Sequence, residues 1–190
     1  MDLDKIIKEI MIDEETIISK VKELGKQITN DYLDKEVLLV CVLNGASMFM
    51  SDLMKEIKLP LEIDFMAVSS YGLSTKSSGV VKIIKDLDKT VEDKHIIIVE
   101  DIIDSGLTLS YLLENLKSRG PKSVEICTLL SKPSGRKTHV DTKYVGFDIK
   151  DEFVVGYGLD YKQRFRNLES IYELNIETVK KDLETLKKLP

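Results

Sequence analysis

The sequence predicts an α/β fold, a largely parallel open sheet flanked by helices, and three observations predict it. Residues 37–43, 95–99 and 124–130 are short runs of Ile, Val and Leu, the composition of strands buried on both faces of a parallel sheet. Segments with apolar residues at helical spacing alternate with these runs. Finally, polar turns follow the strand-like runs at Asn44-Gly45, Ser70-Tyr71, Glu100 to Thr108 and Ser131-Lys132. In an open parallel sheet such turns gather at the carboxyl edge, where ligands bind.

The elements follow in order. Residues 14–32 place Ile17, Val21, Leu24 and Ile28 on one helical face, with acids in the first turn. The strand at 37–43 leads into Asn44-Gly45-Ala46-Ser47 and a short helix carrying Phe49, Leu53 and Ile57. Residues 61–69 alternate, with Leu61, Ile63, Phe65 and Ala67 on one face. The stretch SYGLSTKSSG at 70–79 is rich in Ser, Gly and Thr and reads as a mobile loop. Strands are expected at 80–84, 95–99 and 124–130. Between the last two, Leu109, Leu112, Leu113 and Leu116 form a helical stripe that Gly120-Pro121 ends. A strand is expected at 153–157, and Asn175 caps a final helix with Ile176, Val179, Leu183 and Leu186. The 190 residues fit a single domain, 1–190, without an internal repeat.

Composition narrows the classes of function. Hydrophobic residues at 43% and charged residues at 32% describe an ordinary globular chain. A net charge of -5 with acids and bases interspersed argues against general nucleic-acid affinity. The first ten residues, MDLDKIIKEI, lack a basic stretch and a long apolar core, and no segment approaches the ~18 apolar residues of a membrane span. A cytoplasmic protein without a membrane partner is the expectation. Cys41 and Cys127 lie inside apolar runs and read as buried free thiols. His95 and His139 stand apart from them, which leaves no soft-metal cluster, and no GxxxxGK[ST] motif occurs.

The run HIIIVEDIIDSGLTL concentrates the chemistry. An apolar strand meets two adjacent acids, Glu100 and Asp101, and a third acid, Asp104, opens the turn Ser105-Gly106-Leu107-Thr108. Two neighbouring carboxylates behind an apolar strand are unfavourable unless a cation or donors meet them. A helix opening after a Gly-containing turn offers unpaired N–H groups and a positive dipole end, which suit phosphate. The order of parts suggests a phosphorylated sugar beside a hard cation. Taken alone, Asp104-Ser105-Gly106 also suits an N-cap turn with Asp104 or Ser105 as the cap.

VEDIIDSGLT closely resembles the signature of phosphoribosyltransferases that use 5-phosphoribosyl 1-pyrophosphate (PRPP), and VEDIID resembles the hypoxanthine-guanine branch. The resemblance implies a type I phosphoribosyltransferase fold with a small hood subdomain and a mobile lid loop. It implies that Glu100 and Asp101 contact ribose hydroxyls and Mg2+, and that Asp104, Ser105, Gly106, Leu107 and Thr108 hold the 5-phosphate. Leu43-Asn44-Gly45 matches the pyrophosphate loop, commonly Leu-Lys-Gly; Asn44 removes a charge but Gly45 keeps its backbone amide. Ser70-Tyr71 matches the lid, which would exclude water.

The same resemblance extends further along the chain. Lys132 in LLSKPSG looks like the lysine that donates to the purine 6-oxo oxygen, a contact that disfavours 6-amino purines. FVVGYGLDY implies that Phe153 stacks on the base, that Val154 meets the base edge through its backbone, and that Asp160 approaches a second Mg2+. Arg166 would bind pyrophosphate, for which a planar fork is suited. The implied reaction moves the phosphoribosyl group from PRPP to N9 of hypoxanthine or guanine, with Asp104 as proton acceptor. A xanthine-accepting enzyme and a non-catalytic nucleic-acid-binding regulator are the alternatives. Family analogy suggests a homodimer or homotetramer; residues 176–190 lie outside the functional match.

Overall fold

The computed structural model describes residues 6–70, 81–175 and 177. Its main sheet has six strands: β2 (Val37–Leu43), β3 (Leu61–Ser70), β4 (Val81–Lys85), β5 (His95–Ile103), β6 (Ser123–Ser131) and β7 (Tyr144–Asp148). Their order is β4-β3-β2-β5-β6-β7, parallel throughout except for the antiparallel edge strand β4. The helices are α1 (Glu14–Asp31), α2 (Ser47–Glu56) and α3 (Leu107–Lys117).

Period-two geometry divides the apolar strands between two cores. Leu39 and Cys41 face the core built with Ile17, Val21, Leu24, Phe49 and Leu53 of α1 and α2. Leu38, Val40 and Val42 face the core built with Leu109, Leu112 and Leu116 of α3. Both faces of the sheet are therefore covered, as the unbroken apolar runs predict. Burial of a leucine such as Leu112, wholly inaccessible here, stabilises by about 1.5–3 kcal/mol. The cap of α1 is supplied by Asp13, whose carboxylate accepts from the Thr16 N–H at 2.8 Å.

A second, antiparallel sheet is formed by β1 (Ile7–Ile12), β9 (Ile171–Leu174) and β8 (Val154–Val155), in the order β1-β9-β8. It provides the small subdomain expected beside the main sheet. The sequence reading lacks β1, β7 and β9. It also ends β5 at Val99 and extends β8 over 153–157, where only Val154–Val155 pair with β9. β5 instead runs to Ile103 and carries Glu100 and Asp101 within it, because Glu100 stays in register with Thr128 and Ile103 with Ser131. Of the strand expected at 80–84, Val80 lies outside the described residues, as do the loop after Ser70 and nearly all of the final helix. Cys41 and Cys127 are buried and free, and burial pushes the Cys41 thiol up to about 12. Among the described residues no helix is long and apolar enough to cross a membrane.

Candidate active site

The site is built from the carboxyl ends of β2, β5 and β6 and from the turn that follows β8. On β5, consecutive side chains point to opposite faces, so Glu100 and Asp101 diverge while remaining electrostatic neighbours. Burial, and then the Asp101 charge, hold the Glu100 carboxyl well above the usual carboxylate range. Its Oε2 is enclosed without a hydrogen-bond partner among the described residues. Burial likewise pushes Asp101 up to about 6, although its Oδ1 accepts from the Ile102 N–H at 2.7 Å and Arg166 favours its charged form. Two half-buried acids, one with an unpaired oxygen among the described residues, suit a hard cation that takes one or two carboxylates and leaves its other positions to substrate and water.

After β5 the chain turns through Asp104 and Ser105 into Gly106, which is left-handed at φ 80° and starts α3 without any side-chain cap. The cap role open to Asp104 or Ser105 in the sequence is therefore not taken up; Ser105 Oγ stands 3.5 Å from the Leu107 N–H, at the limit of a bond. The first-turn amides of α3 remain available. Glu100, Asp104, Ser105, Gly106 and Thr108 line one cavity of about 110 Å³. Glu100 and the turn after β5 thus open on the same space.

The turn after β2 packs against Asp101. A β-carbon on Gly45 would stand 1.6 Å from Asp101 Oδ2, so the two residues are in direct contact. Gly158, at φ 97°, approaches the Gly45 carbonyl so closely that its own β-carbon would lie 2.1 Å from that oxygen. Arg166 fixes this second turn: Nη1 donates to the Gly158 carbonyl at 2.7 Å and Nη2 pairs with Asp160 Oδ1 at 2.7 Å. Asp160 Oδ2 accepts from the Gln163 N–H at 2.7 Å. Asp160 and Arg166 therefore meet as an ion pair beside Asp101, whose charge both of them influence. No group of three His, Cys, Asp or Glu side chains forms a metal cage among the described residues.

Lys132, at the end of β6, is buried, and its N–H donates to the Ile103 carbonyl at 2.9 Å. Its Nζ lies 3.5 Å from Asp151 Oδ1 and 5.7 Å from the centre of the Phe153 ring. Phe153 is 57% exposed, which excludes it from the core and leaves a flat aromatic face beside an ammonium. Val154 is buried and paired opposite Glu173. Of the two residues expected to begin a lid, Ser70 ends β3 and Tyr71 lies outside the described residues. Sequence reasoning missed Asp151, Gly158 and Arg136. Arg136, in SKPSGR, follows Lys132 by four positions, the one signal that it belongs to the same turn.

Comparison with known proteins shows the family. The phosphoribosyl transferase domain matches residues 10–162. The chain is 59% identical over 165 residues to a hypoxanthine-guanine phosphoribosyltransferase of Bacillus subtilis, covering 87% of this chain and 92% of that one. It is 51% identical over 175 residues to the protein of that name from Mycobacterium avium, covering 89% and 86%. Among solved structures, a Staphylococcus aureus hypoxanthine phosphoribosyltransferase superposes with a TM-score of 0.87 at 51% identity, covering 90% of this chain and 93% of that one. A Trypanosoma cruzi hypoxanthine phosphoribosyl transferase gives 0.89 at 35% identity, covering 94% and 97%. Alike in sequence and in fold over most of its length, the chain belongs to the phosphoribosyltransferase family, in its hypoxanthine-guanine branch.

Proposed function

We propose that the chain transfers the 5-phosphoribosyl group from PRPP to N9 of hypoxanthine or guanine, giving IMP or GMP and pyrophosphate in purine salvage. The observation that carries this reading is the shared cavity of Glu100 and the turn 104–108, with Lys132 directly after the adjacent strand β6 and the Phe153 ring 5.7 Å from its Nζ. Relatives at 50–59% identity bear the name of this activity.

Each side chain has a task in this reaction. The amides of Gly106 and Leu107, the latter held only by the 3.5 Å contact with Ser105 Oγ, bind the 5-phosphate with the hydroxyls of Ser105 and Thr108. Glu100 and Asp101 hold the ribose hydroxyls. The backbone at Gly45 and the guanidinium of Arg166 receive pyrophosphate, the latter by exchanging its Asp160 partner for a phosphate oxygen. Phe153 stacks on the purine, the Val154 backbone meets the base edge, and Lys132 donates to the 6-oxo oxygen. Asp104 accepts the proton released as N9 bonds to C1, a contribution of roughly 10²–10⁴ in rate. Ser70 and Tyr71 begin a lid that keeps water from the ribosyl centre.

Mg2+ bound with PRPP would be held through Glu100, Asp101 and Asp160 and would supply charge neutralisation for the departing pyrophosphate. The setting is the cytoplasm, with one domain per chain and a homodimer or homotetramer as the assembly. An acidic chain without a basic stripe supports small-molecule substrates rather than nucleic acid. One activity panel tests the reading: hypoxanthine, guanine, xanthine and adenine, each with PRPP and Mg2+, followed by pyrophosphate release. Hypoxanthine and guanine should react and adenine should not. Turnover of xanthine would widen the substrate range, and silence with all four bases would leave a non-catalytic regulator.

A further inference from the structure

Arg136 carries one of two buried side-chain atoms that lack a partner among the described residues, its Nη1; the other is Glu100 Oε2. Enclosing a donor without an acceptor is unfavourable by about 1–3 kcal/mol, more for a charged group, so such an atom calls for a role. The rest of the guanidinium is fixed. Nη2 donates at 3.0 Å to the Oγ of Ser131, itself buried at the end of β6. Burial weighs against the charged form of Arg136, and the acids that favour it are Asp104 and then Asp148.

Residues 132–138 form a strap over the turn that carries Asp104. The N–H of Lys132 donates to the Ile103 carbonyl at 2.9 Å, and those of Lys137 and Thr138 donate to the Ser105 carbonyl at 3.0 and 3.1 Å. A β-carbon on Gly106 would stand 2.6 Å from the Thr138 carbonyl oxygen, so strap and turn are in tight contact. A β-carbon on Gly135 would lie 2.4 Å from Asp104 Oδ1. The Asp104 carboxylate therefore rests on the bare backbone of the residue preceding Arg136.

We infer that Arg136 is a positioning residue for Asp104: anchored on Ser131, it offers its unspent Nη1 to the Asp104 carboxylate and sets that group beside the purine site at Lys132. The consequence for turnover rests on the reading of Asp104 as proton acceptor. A phosphate or pyrophosphate contact is disfavoured because Arg136 is not among the residues that line the cavity of Glu100, Asp104 and Ser105.

The test uses the full-length enzyme with Arg136→Ala and Arg136→Lys, each also combined with Asp104→Asn, and a crystal structure of Arg136→Ala. The alanine variant should lose roughly 10–10² in kcat while its KM for PRPP stays within about twofold. Free guanidinium ion should restore its turnover saturably, and lysine should recover only part, because it lacks the fork that bonds Ser131. In the Asp104→Asn background, loss of Arg136 should have little further effect. The crystal structure should show the Asp104 carboxylate displaced from Gly135. An undisturbed carboxylate, full additivity of the two losses, or a rise in KM for PRPP at unchanged kcat would overturn the inference. Full turnover by Asp104→Asn alone would remove the proton-acceptor reading instead, and the carboxylate position would then decide the positioning role by itself.

Discussion

The Asp101 carboxylate occupies the space where a side chain on residue 45 would begin, its Oδ2 1.6 Å from the ideal β-carbon site of Gly45. The two residues lie just past the point where β2 and β5 pair, Cys41 opposite Val99, so neighbouring strands deliver them to one spot. Gly45→Ala must therefore move either the acid or the turn, and overpacking of this kind is worth about 1–3 kcal/mol. We expect kcat/KM for PRPP to fall at least roughly tenfold, a loss within that energy range. Steady-state kinetics with PRPP varied will show it, and an unchanged value would separate Gly45 from the PRPP site.

Asp104→Asn keeps the shape of the side chain and its contact with Gly135 but cannot accept a proton. Turnover should fall by roughly 10²–10⁴, the usual contribution of a general base, while PRPP affinity stays close to that of the parent. Single-turnover rates and PRPP binding measured separately distinguish the two effects. A matched loss of PRPP affinity would assign Asp104 to substrate binding.

Lys132→Gln replaces the ammonium next to Phe153 with a neutral amide. The kcat/KM for hypoxanthine and guanine should drop by roughly 10–10², as expected when a charged donor to a buried oxygen is lost, and discrimination against adenine should narrow. Equal losses with every base, accompanied by a lower Tm, would mean that Lys132 serves the fold through Asp151 and the Ile103 carbonyl instead.

Asp101 makes the ligand-free protein less stable as pH rises. Its folded value of about 6 lies above the ordinary 3.8, so the folded state binds the proton more tightly than the unfolded chain. That contribution is complete below about pH 4 and is lost as pH rises through about 6, an effect on the order of 3 kcal/mol. Glu100 is raised as well and pushes in the same direction. Asp101→Asn should abolish most of this fall and raise the Tm of the ligand-free protein at pH 7 by several degrees, while impairing turnover. Thermal unfolding between pH 4 and pH 7 measures the slope; an identical slope in the variant would refute the assignment.

Much of the site was readable because its parts are local. The signature at 100–108 is a single strand–turn–helix unit, and Lys132 and Phe153 each sit beside an apolar run. Asp151 and Arg136 were not readable, since an exposed acid and a loop arginine gain meaning only from the Nζ and carboxylate placed near them. The hood strands were hidden for a related reason. Ile7–Ile12 reads IKEIMI with Lys8, Glu9 and Ile10 exposed, and its partner β9 is four residues long and more than 150 positions away.

By itself the sequence determined the doubly covered parallel sheet, because strands shielded on both faces must be apolar without interruption, and it placed Glu100, Asp101 and the turn 104–108 in one strand–turn–helix unit. Only the tertiary structure decided which groups share a space: that Gly45 leaves room for Asp101, that Arg166 holds Asp160, that Gly106 rather than a side chain opens α3, and that the 132–138 strap carries Asp104. Such contacts depend on strand order and on distances across the sheet, which residue spacing along one chain does not encode.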